Sequence, residues 1–208
     1  GRKIWFDQDV LRLNADSRGK FLGEFSGEDK ILVLYKKGEY QLYNYDLSNH
    51  FGQDILTIEK FDKRKVLSVV YYDAEQKYYY VKRFEIDEPE GKLFSFIGEN
   101  PDNKLVSVTW VRYPRLELEF GGKNSERENE IIEIAEFIGV KSWKAKGKRV
   151  SNYEVENIRE IKAIIKDEDD KPESKELDVE ETKEIDDIPF EINRPTKNED
   201  DPNQMSLF

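Results

Sequence analysis

Five cationic side chains, Lys141, Lys144, Lys146, Lys148 and Arg149, stand within "GVKSWKAKGKRV" at residues 139–150, and no acidic residue interrupts them. Clustered ammonium and guanidinium groups suit one kind of chemistry: each neutralises a phosphate and releases its condensed counterions, giving an affinity that is electrostatic and independent of base sequence. Gly139 and Gly147 bracket Lys141, Lys144 and Lys146, and Trp143 lies among them. Smaller groups recur upstream: Arg18 with Lys20, Lys36 with Lys37, Lys63 to Lys65, Lys82 with Arg83, and Arg112 with Arg115. If each marks the rim of one repeat, together they form a curved positive track that duplex DNA could follow through its backbone. Solvated strand ends and turns, where lysine is common, fit the same spacing, so both readings stay open.

Other chemistries find less support. The chain has one histidine, His50 in "DLSNHF", with no second histidine for a metal site and no cysteine anywhere. Without cysteine there is no disulfide framework, no thiolate zinc site and no thiol nucleophile, which fits a reducing compartment. No glycine-rich phosphate loop follows a strand and no G-x-S-x-G turn occurs. An enzyme is therefore the weakest class, and no metal or cofactor is expected in this piece.

The elements that must position the cations are strands. From Ile4 to about Ile165, short runs rich in Val, Ile, Leu, Tyr and Phe alternate with turn signals such as "SGED", "KKGE", "DAEQ" and "ENPDN", the pattern of an all-β domain. "RLELEF" sets Leu116, Leu118 and Phe120 on one face and Arg115, Glu117 and Glu119 on the other. "KYYYVKRFEI" sets Tyr78, Tyr80, Phe84 and Ile86 together. Similar segments starting at Lys30, Lys65, Lys104 and Lys148 suggest a repeat of about 40 residues, the period of propeller-like radial folds. "SERENEIIEIAEFIGV" reads at either period, and Ser125 with Glu128 offers a capping box for a short helix.

Charge divides the chain. Residues 166–208 carry 16 acidic and 6 basic side chains, so nearly all of the net charge of -11 belongs to them, and residues 1–165 are close to neutral. We expect a folded domain over 1–165 and a disordered acidic tail over 166–208. The apolar runs are far shorter than the roughly 18 residues of a membrane-spanning helix, and no signal peptide opens the chain, so a cytoplasmic protein is expected. The start "GRKIWFDQD", without methionine, suggests a piece of a longer polypeptide.

Several consecutive segments, "WFDQDVLRLNADSRGKFLGEFSGEDKILVLYKKGEY", "DLSNHF", "ILTIEKFD", "VVYYDAEQKYYYVKRF" and "EFIGVKSWKAKGKRVSNYEVENI", resemble the C-terminal domain of the A subunit of bacterial type IIA topoisomerases, in the topoisomerase IV or gyrase form of Bacteroidetes-type bacteria. The resemblance covers most of residues 4–165. It implies a β-pinwheel, here a partial disc of three or four blades, whose positive rim binds and bends duplex DNA and presents it for strand passage catalysed elsewhere in the parent protein. It also implies that ATP, Mg²⁺, a second A subunit and the B subunit act through other parts of the parent enzyme. Lys141, Lys144, Lys146, Lys148 and Arg149 would then be rim residues, with Trp143 packing a blade. The gyrase-type Gln-Arg-Arg-Gly box has only a degenerate trace in "DSRGKFLG", which favours a topoisomerase IV role in the nucleoid. A protein-interaction propeller with no DNA role is the rival.

Two expectations attach to the tail. Its carboxylates could compete with phosphate for the rim cations, a tethered self-inhibition. The final "QMSLF" is similar to the peptide with which replication proteins dock on the DNA polymerase sliding clamp, with Gln204 as polar anchor and Met205, Leu207 and Phe208 as apolar ones.

Overall fold

A computed structural model describes residues 1–87 and 90–165. The acidic tail and its terminal peptide, and with them the disorder, self-inhibition and clamp-docking expectations, lie outside the described residues.

The expected all-β architecture is present. Strands β1 (Arg2–Asp7), β2 (Arg12–Asn14) and β3 (Lys20–Phe25) form a first sheet in the order β2-β1-β3. Next come β4 (Ile31–Tyr35), β5 (Glu39–Tyr43) and β6 (Ile55–Lys60), then the long hairpin of β7 (Val66–Asp73) and β8 (Tyr78–Glu85). Strand β9 (Leu93–Ser95) returns to β5, which completes a second sheet, β6-β4-β5-β9. After β10 (Lys104–Thr109), β11 (Arg115–Phe120) and β12 (Glu130–Glu133), one helical turn, α1 (Ile134–Phe137), leads to β13 (Lys148–Arg149) and β14 (Val155–Ile161). The third sheet is β10-β7-β8-β13 and the fourth β12-β11-β14.

One plan underlies all four sheets. An inner strand (β1, β4, β7, β11) makes a hairpin with the next, and a later strand (β3, β6, β10, β14) returns to the inner strand's other side. In the second and third sheets a strand from further along the chain, β9 or β13, covers the hairpin's open edge. The inner strands begin at Arg2, Ile31, Val66 and Arg115. The repeat read from the sequence is thus correct at Lys30 and Lys65 and corrected at Lys104 and Lys148, which open two edge strands of the third sheet. Inner and edge strands here share the same Lys-then-aliphatic pattern, so similarity alone could not separate them.

The described residues form two compact units, one from residues 1–65 and 86–105, the other from residues 66–85 and 106–165. In the first, Ile4, Phe6, Leu13, Leu22 and Phe25 of the first sheet pack on Ile31, Val33 and Ile58 of the second. Phe51, from the "DLSNHF" segment, closes this core with its ring 5.6 Å from that of Phe6. Neighbouring His50 is exposed, with Nε2 3.5 Å from Arg12. In the second unit, Val70, Val81 and Val150 pack on Leu116, Leu118, Phe120, Ile132, Ile134, Ile138 and Ile158.

The ambiguous segment uses both periods: β12 runs straight into α1. Ser125 and Glu128 do not cap that helix, because Glu133 occupies its N-terminal boundary with no side-chain bond, and Ser125 instead closes a 3₁₀ turn over Gly122–Asn124. A single turn in mid-connection gains its order from Ile134 and Ile138 in the core rather than from a cap.

Candidate nucleic-acid interface

Beyond α1, the chain leaves the fourth sheet and crosses the edge of β8. Its first foot is Lys141, whose N–H donates to the Arg83 carbonyl at 2.9 Å and which bridges Phe84 in parallel. A turn follows, closed by Ala145 N–H to Ser142 O at 3.0 Å. The second foot is β13, antiparallel to Val81 and Tyr80, and the Val150 N–H then donates to Tyr79 O at 3.0 Å. Gly147 allows the descent: its φ is +95°, and a Cβ there would lie 2.3 Å from the Val81 carbonyl oxygen. Residues 141–150 are an arch standing on one strand.

The five bases of the arch divide by role. Lys146 pairs with Asp73 at 3.0 Å and lies over the Tyr80 ring, while its carbonyl accepts the Tyr71 hydroxyl at 2.5 Å. Lys148 sits 3.9 Å over the Phe137 ring and donates to the Phe137 carbonyl, and burial pulls its pKa down. Arg149 stacks 3.7 Å from Tyr78 and donates to Asn152 Oδ1 at 2.7 Å. These three fasten the arch. Lys141 and Lys144 are exposed, in no ion pair among the described residues, and Lys144 rests 5.5 Å over Trp143.

Two more cations gather at the first foot. Arg83 is half-buried and donates to the Ile138 carbonyl at 3.3 Å, and its pKa is lowered by burial and by the nearby Arg112. Arg112 is exposed, with its guanidinium 5.7 Å over the Tyr113 ring. Like charges held this close raise the local potential that an anion experiences. In the first unit, Arg18 on the β2–β3 connection and Lys20 at the start of β3 are both exposed. Buried Asn14 shapes that connection by accepting from the N–H groups of Asp16 and Arg18 and donating to Arg18 O. Arg18 reaches Asp16 at 3.4 Å and Lys20 donates to Ile58 O at 2.8 Å.

Two expected contact residues are corrected by their burial. Lys82 is 3% exposed on the face of β8 that carries Tyr80 and Phe84, its ammonium donates to the Trp143 carbonyl at 2.5 Å, and desolvation lowers its pKa to about 8. Arg115 is 4% exposed and its guanidinium donates to Glu133 at 2.9 Å, across the register of β11 and β12. Neither can present its charge to a phosphate. The sequence reading also passed over Asp73 and Tyr71, which hold the arch from β7. The signal available was an acid closing an apolar strand, "VLSVVYYD".

The match to known proteins spans both the arch and the Asn14 connection. The family "Topoisomerase C-terminal domain, Bacteroidota" matches residues 12–162. The chain belongs to this topoisomerase C-terminal domain family. It is 31% identical over 146 residues to the A subunit of DNA topoisomerase 4 from Borreliella burgdorferi, a match covering 68% of this chain and 22% of that protein. The chain thus spans about a fifth of the length of this relative. A solved structure, "Crystal structure of the C-terminal domain of DNA topoisomerase IV", aligns over 70% of this chain and 51% of its own, with a TM-score of 0.47 and 16% identity. Membership places every cation of the arch inside the family's domain. No helix among the described residues is long and apolar enough to cross a membrane.

Proposed function

We propose that this topoisomerase C-terminal domain binds duplex DNA without base specificity, through phosphate contacts from Lys141, Lys144 and Arg112 with Arg83 behind them, and from Arg18 and Lys20 of the first unit. The observation that carries the reading is the division of labour within the arch. Lys146, Lys148 and Arg149 are engaged by the protein, whereas Lys141 and Lys144 are exposed without a carboxylate partner among the described residues. Exposed lysines on a fastened loop supply electrostatic affinity at little ordering cost. Bending of the bound duplex belongs to the same reading. So does service to a parent type IIA topoisomerase in the nucleoid, with its B subunit and second A subunit, whose ATP- and Mg²⁺-dependent chemistry lies outside this chain.

Fluorescence anisotropy of the full chain with two unrelated duplexes of equal length tests it. At low salt both should bind with the same affinity, and Lys141→Glu with Lys144→Glu should weaken binding about tenfold or more. No affinity for either duplex, with or without residues 166–208, would favour the protein-interaction reading.

A further inference from the structure

Lys82 places an ammonium group on a buried strand face. It occupies the face of β8 between Tyr80 and Phe84, opposite Val69 of β7, with 3% of its surface exposed. An apolar side chain of similar length would pack there without the cost of desolvating an ammonium group. The Lys82 ammonium donates to the carbonyl of Trp143, in the turn of the arch, at 2.5 Å, with the Phe84 ring 5.2 Å below. The two feet hold the arch at Lys141 and at Lys148–Arg149, and Tyr71 and Asp73 hold Lys146, so the Lys82 bond is a further support from beneath the turn at Trp143.

We propose that Lys82 is a positioning residue, a buried strut that fixes the Trp143 carbonyl and thereby directs Lys141 and Lys144 outward as a preset pair. Its consequence for affinity rests on the DNA-binding reading; the strut itself does not. With Trp143 O anchored, residues two before and one after it have their backbone directions set, and phosphate binding need not order the turn. Without the bond the turn at Ser142–Ala145 loses its support between Lys141 and the Lys146 anchor, and opens locally while the sheets stay intact.

The experiment uses the full chain and Lys82→Met. A role confined to packing would lower the melting temperature and the DNA affinity together. The strut requires them to part: melting at the same or a higher temperature, native-state trypsin cleavage after Lys144 about tenfold faster by mass spectrometry, and weaker duplex binding. Replacing Lys141 and Lys144 by alanine should also cost less affinity in the Lys82→Met background than in the wild type. Unchanged cleavage after Lys144 would overturn the strut. If Lys82→Met does not fold, the wild type decides by NMR: a Lys82 ammonium protected from solvent and coupled to the Trp143 carbonyl is expected, and a freely exchanging one overturns the proposal. If the wild type binds no duplex at low salt, the DNA reading fails, and the cleavage arm still judges the strut alone.

Discussion

Arg115→Ala should lower the stability of the protein by about 3 kcal/mol, measured as a shift of the urea midpoint at unchanged slope. Arg115 and Glu133 face each other in register on β11 and β12, with side chains 5% and 24% exposed. The guanidinium also donates to the carbonyl of Lys162 at 3.4 Å. Truncation leaves a largely buried carboxylate without its cation and a carbonyl without its donor, the circumstance in which a buried pair is costly to break. The residual exposure of Glu133 keeps the loss at the lower end of that range. Replacing both partners, Arg115→Met with Glu133→Leu, should recover most of it, because no charge is then stranded. The folded Arg115→Ala protein should bind duplex as the wild type does, since Arg115 holds the fourth sheet together and touches no phosphate.

Gly19→Ala should be at least as damaging, again on the order of 3 kcal/mol. Gly19 has φ +84°, and a Cβ there would lie 2.1 Å from the Phe6 carbonyl oxygen and 2.9 Å from the Cα of Asp7. Both obstacles are backbone, so no rotamer change relieves them. The positive φ alone costs about 1 kcal/mol for a non-glycine residue, and the chain must also move off β1, where Lys20 is in register with Phe6. The bonds by which Asn14 shapes the connection would be disturbed with it. Thermal melting followed by far-UV circular dichroism should show a drop of roughly 5 °C or more. A wild-type melting curve would mean that the β2–β3 connection is not packed against β1 as described. Because Arg18 and Lys20 flank this glycine, the substitution also displaces the first unit's candidate contacts.

What the sequence disclosed depended on whether the deciding neighbour was local. Alternation in "RLELEF" placed Leu116, Leu118 and Phe120 correctly in the core. It placed Arg115 outside because Glu133, the partner that makes burial tolerable, lies on another strand. In "KYYYVKRFEI" the same rule held the answer: a period of two that buries Tyr80, Phe84 and Ile86 also turns Lys82 inward. Its charge argued for the surface, and the Trp143 carbonyl that satisfies the charge is 61 residues away. The arch was visible as a run of bases, but its division of labour was not. Phe137, Tyr78, Tyr80 and Asp73, which engage three of the five cations, are brought there by the fold. The reach of β9 and β13 to earlier hairpins was equally hidden, since edge pairing is settled by topology and not by the composition of the strand.

The salt dependence of duplex binding bears most directly on the central claim that the outward cations of this domain contact phosphates. Affinity of the full chain, plotted as logarithm against the logarithm of salt concentration, should fall linearly with a slope of about -0.9 per phosphate neutralised. Removing Lys141, Lys144 and Arg112 together by alanine should make the slope shallower by roughly 2 to 3, while Arg115→Ala leaves it unchanged. A wild-type affinity that ignores salt, or a triple variant whose slope equals that of the wild type, would contradict the account.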